Sequence, residues 1–274
     1  MTKENFYCYL CGNNDCLKKY KLTDKPKGET EFGIGSDNYH RIISKCRNCN
    51  VYNNHHDYNL DNLYLESYNQ ITYSNGIKDN YDRIMQLPFP NSDNKHRVKR
   101  IVEFYQENNK SINDIDVLDI GSGLCVFLGE LLKHGPKVSC VDPSDISVKH
   151  ALENVGVHEA FQGDFLDINF NKKYDLITFN KVLEHVKNPL DMLLKAKSQL
   201  SNGGTIYIEL PDGKVASKNG GFINREEFYL EHYTIFSKKA VDYLVNSAGL
   251  EIKIINDIHE PSDKYTLYAF ITIP

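Results

Sequence analysis

The stretch VLDIGSG, residues 117–123, decides which fold this sequence predicts. Its first four residues read as a buried strand, and Gly121 and Gly123 follow where that strand would turn into the helix CVFLGELLKHG, residues 125–135. A strand that passes through a glycine-rich turn into a helix is typical of an open α/β sheet, where ligands lie at the carboxyl ends of the strands. We therefore expect both glycines to let the backbone approach a ligand closely.

Strands and helices alternate on the C-terminal side of this turn. The predicted strands that follow are KVSCVDPS (137–144), HEAFQGDF (158–165), YDLITFN (174–180), TIYIELPD (205–212), EIKIINDIHE (251–260) and KYTLYAFITIP (264–274). Helical patterns separate most of them, at 146–156, 188–204 and 237–250. Such alternation predicts a mostly parallel seven-stranded α/β sheet of Rossmann-like type. Only a short loop separates the last two strands, which predicts that the last strand is antiparallel.

The residues around the glycines indicate which ligand the turn would take. A dinucleotide site favours Gly or Ala at the last position of G-x-G-x-x-G, but Val126 stands there. Asp119 would repel phosphates and attract an amino group. Asp142 follows Gly121 by 21 residues, where an acid suits a ribose diol. A ligand with a ribose, a cationic amino group and no phosphate is predicted, and S-adenosylmethionine fits that description.

Residues 116–274 resemble the class I S-adenosylmethionine-dependent methyltransferases. VLDIGSG resembles the first motif of that family, CVDPS its ribose-binding acid, and GDF its adenine-side motif. The terminal strand pair resembles the reversed last strand of the family. The alternative is a doubly wound fold that binds another ligand.

The resemblance implies roles for eight residues in cofactor binding. Asp119, Gly121 and Gly123 would hold the methionine part, Asp142 would bind the ribose, and Pro143 would shape the edge of the adenine pocket.

On the same resemblance, Asp164 would bond the adenine amine and Phe165 would pack near the ring. Asn180, at the end of the fourth strand, would line the cleft near the methionine part.

Two histidines are the candidate catalytic residues. His185 lies in NKVLEHVKNP, just beyond the fourth strand, and His232 lies in REEFYLEHYTIFS, after the fifth. A histidine with a pKa near 6.5 can accept a proton from an acceptor group at neutral pH. The alternative for each is a structural histidine. Tyr233, Arg225 and Tyr73 are candidate substrate contacts, although packing is the alternative for Tyr73. The glycines near residue 220 would give the His232 loop the mobility of a lid.

Two C-x-x-C pairs precede this region. Cys8, Cys11, Cys46 and Cys49 present four thiolates, which suit a closed tetrahedral zinc site of structural type. Unrelated thiols or a redox pair are the alternatives. We expect a small zinc-ribbon module over residues 1–60, a linker with capping helices over 61–110, and the methyltransferase core over 111–274. Cys16 is then a spare thiol.

This layout resembles the sugar C-methyltransferases that act on nucleotide-linked deoxysugars. Those enzymes continue into a further C-terminal domain, which this sequence lacks, and the shorter layout also resembles methyltransferases of bacterial capsule and surface-polysaccharide synthesis. The resemblance implies a small-molecule acceptor, such as a sugar, a nucleotide-sugar or a capsular-polysaccharide precursor. O-methylation is preferred over N- or C-methylation.

Composition narrows the remaining classes of function. The 274 residues carry a formal net charge of -5, which disfavours binding to a phosphate backbone. Without a long apolar run or an apolar signal core, the sequence predicts a cytoplasmic protein that does not span a membrane. An RNA or protein methyltransferase that uses the zinc ribbon for binding is the main alternative, and a catalytically silent binding protein is another. The sequence does not indicate an oligomeric state.

Overall fold

Two β-sheets organise the chain in the computed structural model, which describes residues 6–35, 38–59, 76–219 and 222–274. The strands are β1 (Cys16–Leu22), β2 (Arg41–Cys46), β3 (Tyr52–His55), β4 (Asp116–Ile120), β5 (Lys137–Asp142), β6 (Glu159–Gln162), β7 (Tyr174–Asn180), β8 (Leu200–Pro211), β9 (Thr234–Ile235), β10 (Glu251–His259) and β11 (Tyr265–Thr272). The helices are α1 (Ile77–Met85), α2 (Asp93–Glu107), α3 (Val126–Leu132), α4 (Asp145–His150), α5 (Pro189–Gln199), α6 (Gly213–Ala216) and α7 (Lys238–Ser247).

The larger sheet has seven strands in the order β10-β11-β8-β7-β4-β5-β6. Strands β4 to β8 pair in parallel, whereas β11 is antiparallel to both β8 and β10. The predicted Rossmann-like sheet with an antiparallel last strand is therefore confirmed. The predicted helix 188–204 ends earlier, at Gln199, because Leu200 turns into extended backbone and pairs with Tyr174 at the start of β8.

Both faces of this sheet are buried, which explains its apolar strands. Val117 and Leu118 are neighbours on β4, and they belong to different clusters of buried side chains because successive strand residues point to opposite faces. On the Val117 face, Phe104 of α2 stacks on Phe270 of β11 at 4.0 Å between ring centroids. On the Leu118 face, Leu193 of α5 and Leu244 of α7 cover the strands. The sheet thus holds its strand ends rigidly.

The smaller sheet joins the N-terminal region to the chain that follows β8. Its order is β1-β2-β3-β9, and Tyr52 and Asn53 of β3 pair with Ile235 and Thr234 of β9. The N-terminal sheet therefore takes its edge strand from the middle of the methyltransferase-like region. Sequence patterns gave no sign of this pairing, because β9 has only two residues.

A buried ion pair fixes this junction. The Arg41 side chain is fully buried and pairs with Glu29, with 2.7 Å between Nη2 and Oε1. Arg41 also donates to Asn54 and to the backbone carbonyl of Phe228, while Glu29 accepts from the backbone N–H of Leu230 at 2.9 Å. Residues 228–235 are therefore packed as part of the small sheet, although the glycines at 220 and 221 lie outside the described residues.

No helix among the described residues combines the length and the apolar character that crossing a bilayer requires.

Replacing Arg41 by Met should lower the free energy of unfolding by about 3–5 kcal/mol, because Glu29 would remain buried without its cation. Denaturant unfolding of both proteins measures the difference. Arg47→Met is the control, since Arg47 is exposed and meets Asp15 at 3.4 Å, and such surface pairs contribute about 0–1 kcal/mol. Equal losses in the two variants would contradict the role assigned to the buried pair.

Candidate functional site

A cavity of about 560 Å³ opens at the carboxyl ends of β4, β5, β7 and β8. Its walls come from three parts of the chain: the glycine turn after β4, the turn after β7, and residues 226–232. Thr30 and Phe32 of the N-terminal region also line it. The cavity lies where open α/β sheets bind their ligands.

The glycine turn is shaped by close packing. Gly121 has φ +68°, and a Cβ atom there would lie 2.8 Å from Cγ2 of Val182. The backbone N–H of Gly123 donates to Oδ2 of Asp142 at 2.8 Å, and the N–H of Ser144 donates to Oδ1 at 2.9 Å. Asp142 is thus buried at the end of β5, where it holds the turn open toward the cavity.

Asp119 is buried beside this turn and is 2% exposed. Its Oδ1 accepts hydrogen bonds from the Thr178 hydroxyl and, at 2.9 Å, from the Asn180 amide. Burial raises the pKa of Asp119 to about 7, and the hydrogen bond from Thr178 offsets only part of that effect. A cationic group that entered the cavity would stabilise the ionised carboxylate. The structure therefore brings Asp119, Gly121, Gly123, Asp142, Pro143 and Asn180 together in one cavity.

Arg97 lines the same cavity, and the sequence analysis missed it. Its Nη2 pairs with Oε2 of the fully buried Glu209 at 2.5 Å, while Arg100 pairs with Oε1 at the same distance. The Asn94 side chain, which also lines the cavity, accepts from Nη1 of Arg97 at 2.7 Å. A signal was present, because Arg97 stands four residues before Ile101 on the apolar face of α2.

Two other predicted cofactor residues lie elsewhere. Asp164 is exposed, and its Oδ1 accepts from the backbone N–H of Leu166 at 2.8 Å. Phe165 is buried in the core and packs edge-on against Phe179, 5.9 Å away between ring centroids. Neither residue lines the cavity described above. Their roles toward an adenine ring remain predictions.

The other end of the cavity contains Glu184, His185 and His232. Glu184 and His185 lie on a 3₁₀ turn directly after β7, and His232 precedes β9. One donor atom from each residue lies within 4.8 Å of the others. The two imidazole rings are 4.7 Å apart and nearly perpendicular. The two candidate catalytic histidines thus meet, although 46 residues separate them in the sequence.

Backbone carbonyls determine which nitrogen of each imidazole carries the proton. Nδ1 of His185 lies 3.1 Å from the carbonyl oxygen of Glu231, and Nδ1 of His232 lies 3.0 Å from that of Glu227. Because a carbonyl oxygen can only accept, we infer that Nδ1–H is the donor in both rings. Each Nε2 of the neutral ring then carries a lone pair.

Burial changes the acid–base behaviour of this cluster. It lowers the pKa of His185 to about 3 and that of His232 to about 4, so both rings are neutral at pH 7. It raises the pKa of Glu184 to about 7. The expectation of histidines with a pKa near 6.5 was therefore wrong in its premise. As a free base, each ring is weaker than an exposed histidine.

The N-terminal region contributes directly to this end. The Thr30 hydroxyl donates to Oε1 of Glu231 at 2.7 Å, and Oε2 of Glu231 is buried with no hydrogen-bond partner among the described residues. Phe32 lies beside them in the wall. Nothing in the sequence distinguishes Thr30 or Phe32, since only the pairing of β3 with β9 brings them here.

The predicted substrate contacts are not in the cavity wall. Tyr233 lines a separate, shallow groove together with Tyr9, His56 and Lys187. Arg225 pairs with Glu227 at 2.9 Å and lies over the ring of Tyr265 at 4.5 Å.

Arg225 therefore positions two lining residues, Glu227 and Tyr265, without lining the cavity itself. Tyr73, the third predicted contact, lies outside the described residues.

The four predicted zinc ligands form a second cluster. Sγ of Cys8 lies 3.5 Å from that of Cys49, Sγ of Cys11 lies 3.6 Å from that of Cys46, and all four lie within 4.8 Å. Four thiolates around one zinc ion, with bonds of about 2.3 Å, are about 3.8 Å apart, so this arrangement fits the metal. Cys16 is not part of the cluster.

Both turns of this cluster have the expected backbone. Gly12 has φ +67° and Asn50 has φ +62°. Each donates its backbone N–H to the carbonyl of the cysteine four residues earlier, at 2.8 Å for Gly12 and 3.1 Å for Asn50. Turns of this kind direct neighbouring thiolates to one point.

Comparison with known proteins identifies a family. Residues 89–253 match the family model described as a methyltransferase domain. The chain is similar to the ubiquinone biosynthesis O-methyltransferase of Rickettsia bellii, with 24% identity over 53% of this chain and 60% of the relative. The corresponding protein of Rickettsia canadensis is 23% identical over 71% of this chain and 85% of the relative. The chain thus spans about 60% of the length of the Rickettsia bellii relative.

A solved structure supports the fold. The magnesium protoporphyrin IX methyltransferase of Synechocystis PCC 6803, solved with bound S-adenosylhomocysteine (SAH), aligns with a TM-score of 0.57. The alignment covers 78% of this chain and 99% of that structure at 16% identity.

Proposed function

Because this chain belongs to the methyltransferase domain family, we propose that it transfers a methyl group from S-adenosylmethionine to a hydroxyl of a small molecule. The observation that carries the proposal is a single cavity with two chemically different ends. Asp119, Gly121 and Asp142 form one end, and Glu184 with the two histidines forms the other.

The first end suits S-adenosylmethionine. The buried Asp119 would bind the amino group, and Asp142 would accept from the ribose hydroxyls. Arg97 and Asn94 add a positive charge and an amide near the methionine part, where the cofactor carries a carboxylate. The tight contact between Gly121 and Val182 leaves the turn close to the ligand. The solved relative with bound S-adenosylhomocysteine supports the same cofactor for this chain.

The second end suits a small polar acceptor. Both ligands would share about 560 Å³, which leaves room beside the cofactor for a sugar-sized molecule. Thr30, Glu231 and the neutral histidines offer groups that bind hydroxyls. We propose a sugar, a nucleotide-sugar or a capsular-polysaccharide precursor as the acceptor. The relatives' name, O-methyltransferase, supports oxygen as the acceptor atom.

Methyl transfer requires that the acceptor oxygen approach the methyl carbon in line with the sulfonium. A hydroxyl must also lose its proton as the new bond forms. We propose that Glu184, His185 and His232 promote this loss at the acceptor end. The low pKa of both imidazoles keeps their Nε2 lone pairs available at neutral pH.

The experiment that tests this function combines labelled S-adenosylmethionine with nucleotide sugars, sugar phosphates and free catechols. We expect label in a hydroxyl compound of the panel. His232→Ala should lower turnover by about 100-fold or more while the dissociation constant for the cofactor changes less than about twofold.

His259→Ala is the matched control, because His259 is exposed and pairs with Asp263 away from the cavity. Label found only in RNA or protein would contradict the small-molecule acceptor. Unchanged turnover in His232→Ala would remove the acceptor-end cluster from the mechanism.

We also propose that Cys8, Cys11, Cys46 and Cys49 hold a structural zinc ion. The metal would stabilise an N-terminal region with a small core of its own. Strand β2 begins with Arg41, which fixes the segment before His232, and ends with the ligand Cys46. The zinc site would thereby support the acceptor end of the cavity.

Replacing Cys46 by Ser should release the zinc ion and lower the melting temperature, because three thiolates leave the tetrahedral site incomplete. Metal analysis after gel filtration measures the zinc content. Cys16→Ser is the control, since Cys16 lies nearby but outside the cluster, and it should retain the metal. A stable, metal-free Cys46→Ser protein with full activity, or zinc loss from Cys16→Ser, would overturn this assignment.

A further inference from the structure

We propose that Glu184, His185 and His232 bind a divalent transition-metal ion at the acceptor end of the cavity, separate from the four-cysteine site. The acceptor hydroxyl would complete the coordination of this ion. The role in catalysis rests on the proposed function, whereas the binding of the ion does not.

The donor atoms are already gathered. One nitrogen from each imidazole and one oxygen from Glu184 lie within 4.8 Å of one another. An ion about 2.1 Å from each donor would hold them no more than about 4.2 Å apart, so side-chain shifts below about 1 Å complete the site. The three residues come from two segments that the small sheet fixes in place.

The second shell of hydrogen bonds orients both rings. Nδ1 of His185 and Nδ1 of His232 each meet a backbone carbonyl, at 3.1 Å and 3.0 Å. Histidines that bind metals commonly donate their other ring N–H in this way, since the bond fixes the ring and leaves Nε2 as the ligand. Neither ring requires a change of tautomer.

Glu184 provides the independent observation. Its side chain is 1% exposed and lines the cavity, and its Oε2 is buried with no hydrogen-bond partner among the described residues. The cations nearby have other partners, because Lys181 pairs with Glu260 and Lys264 with Glu226, each at 3.1 Å. A buried carboxylate oxygen without a partner is costly, and a bound cation would remove that cost.

The ligand set indicates the type of metal. Two imidazoles and one carboxylate on one side of an ion are typical of Fe(II), Co(II), Mn(II) or Zn(II) sites with open positions, whereas Mg²⁺ prefers oxygen ligands. The open positions would face the cavity.

The ion would act as a Lewis acid. The hydroxyl of the acceptor binds it and loses its proton to water, because the positive charge lowers the pKa of the bound hydroxyl. The resulting oxygen forms its bond to the methyl carbon as the carbon–sulfur bond breaks. The sulfonium becomes a neutral thioether, so that the step needs no oxidant or reductant.

The test is a titration of the full chain, with its cysteine site filled by zinc, against Co²⁺. We expect one further ion per chain, with weak visible absorption bands and no intense thiolate-to-cobalt band. Glu184→Gln, which keeps the side-chain shape, and His232→Ala should each weaken Co²⁺ binding at least about tenfold. His259→Ala, an exposed histidine, should bind as the parent protein does.

Melting curves identify any variant that fails to fold, and Glu184→Gln then decides the test. No Co²⁺ beyond the cysteine site, or equal binding by the parent protein and Glu184→Gln, would overturn the proposal. Co²⁺ binding without methyl transfer to any compound of the panel would leave the ion site standing and contradict only the proposed function.

Discussion

The carboxylate of Asp119 is the constraint on which the cofactor end depends. It is buried at the carboxyl end of β4, it lies opposite Thr178 in the pairing of β4 with β7, and it forms no ion pair with any residue that the structure describes. Two hydrogen bonds hold it in place, yet burial still raises its pKa to about 7. A ligand with a cationic group would therefore improve the energy of this site, whereas a phosphate would worsen it.

Other buried acids at the same edge of the sheet are balanced differently. Glu209 is held by two arginines, and Asp142 is held by the backbone N–H groups of the glycine turn and of Ser144. Glu184 has neither kind of partner at its Oε2 within the described chain. The site thus contains two positions, one at each end of the cavity, where a bound cation would stabilise a buried carboxylate.

The N-terminal region is part of the site and does more than cover it. Arg41 and Glu29 join it to residues 228–230, and β9 adds an edge strand to its sheet. His232 lies between these two connections, so its position depends on the fold of both regions. A cysteine cluster at the far end of β2 can therefore influence chemistry in the cavity through the strand that carries Arg41.

The sequence was informative where local pattern determines structure. The parallel sheet, the glycine turn and the two cysteine pairs follow from periodicity, from residues with positive φ and from ligand spacing. Contacts between distant segments were not accessible: Thr30 meets Glu231 across 201 positions, and Arg97 meets Glu209 across 112. The low pKa of His232 was also missed, because burial is a property of the assembled fold.

The most direct test of this account is calorimetry of S-adenosylhomocysteine binding to the parent chain and to Asp119→Asn at pH 6 and pH 8. With a pKa of about 7, Asp119 is mostly ionised at pH 8 and mostly protonated at pH 6. Affinity of the parent chain should therefore fall by about tenfold between pH 8 and pH 6, as the charge that holds the amino group is lost. Asp119→Asn should bind weakly with little dependence on pH. Undetectable binding by the parent chain, or equal affinities for both proteins at both pH values, would contradict the account.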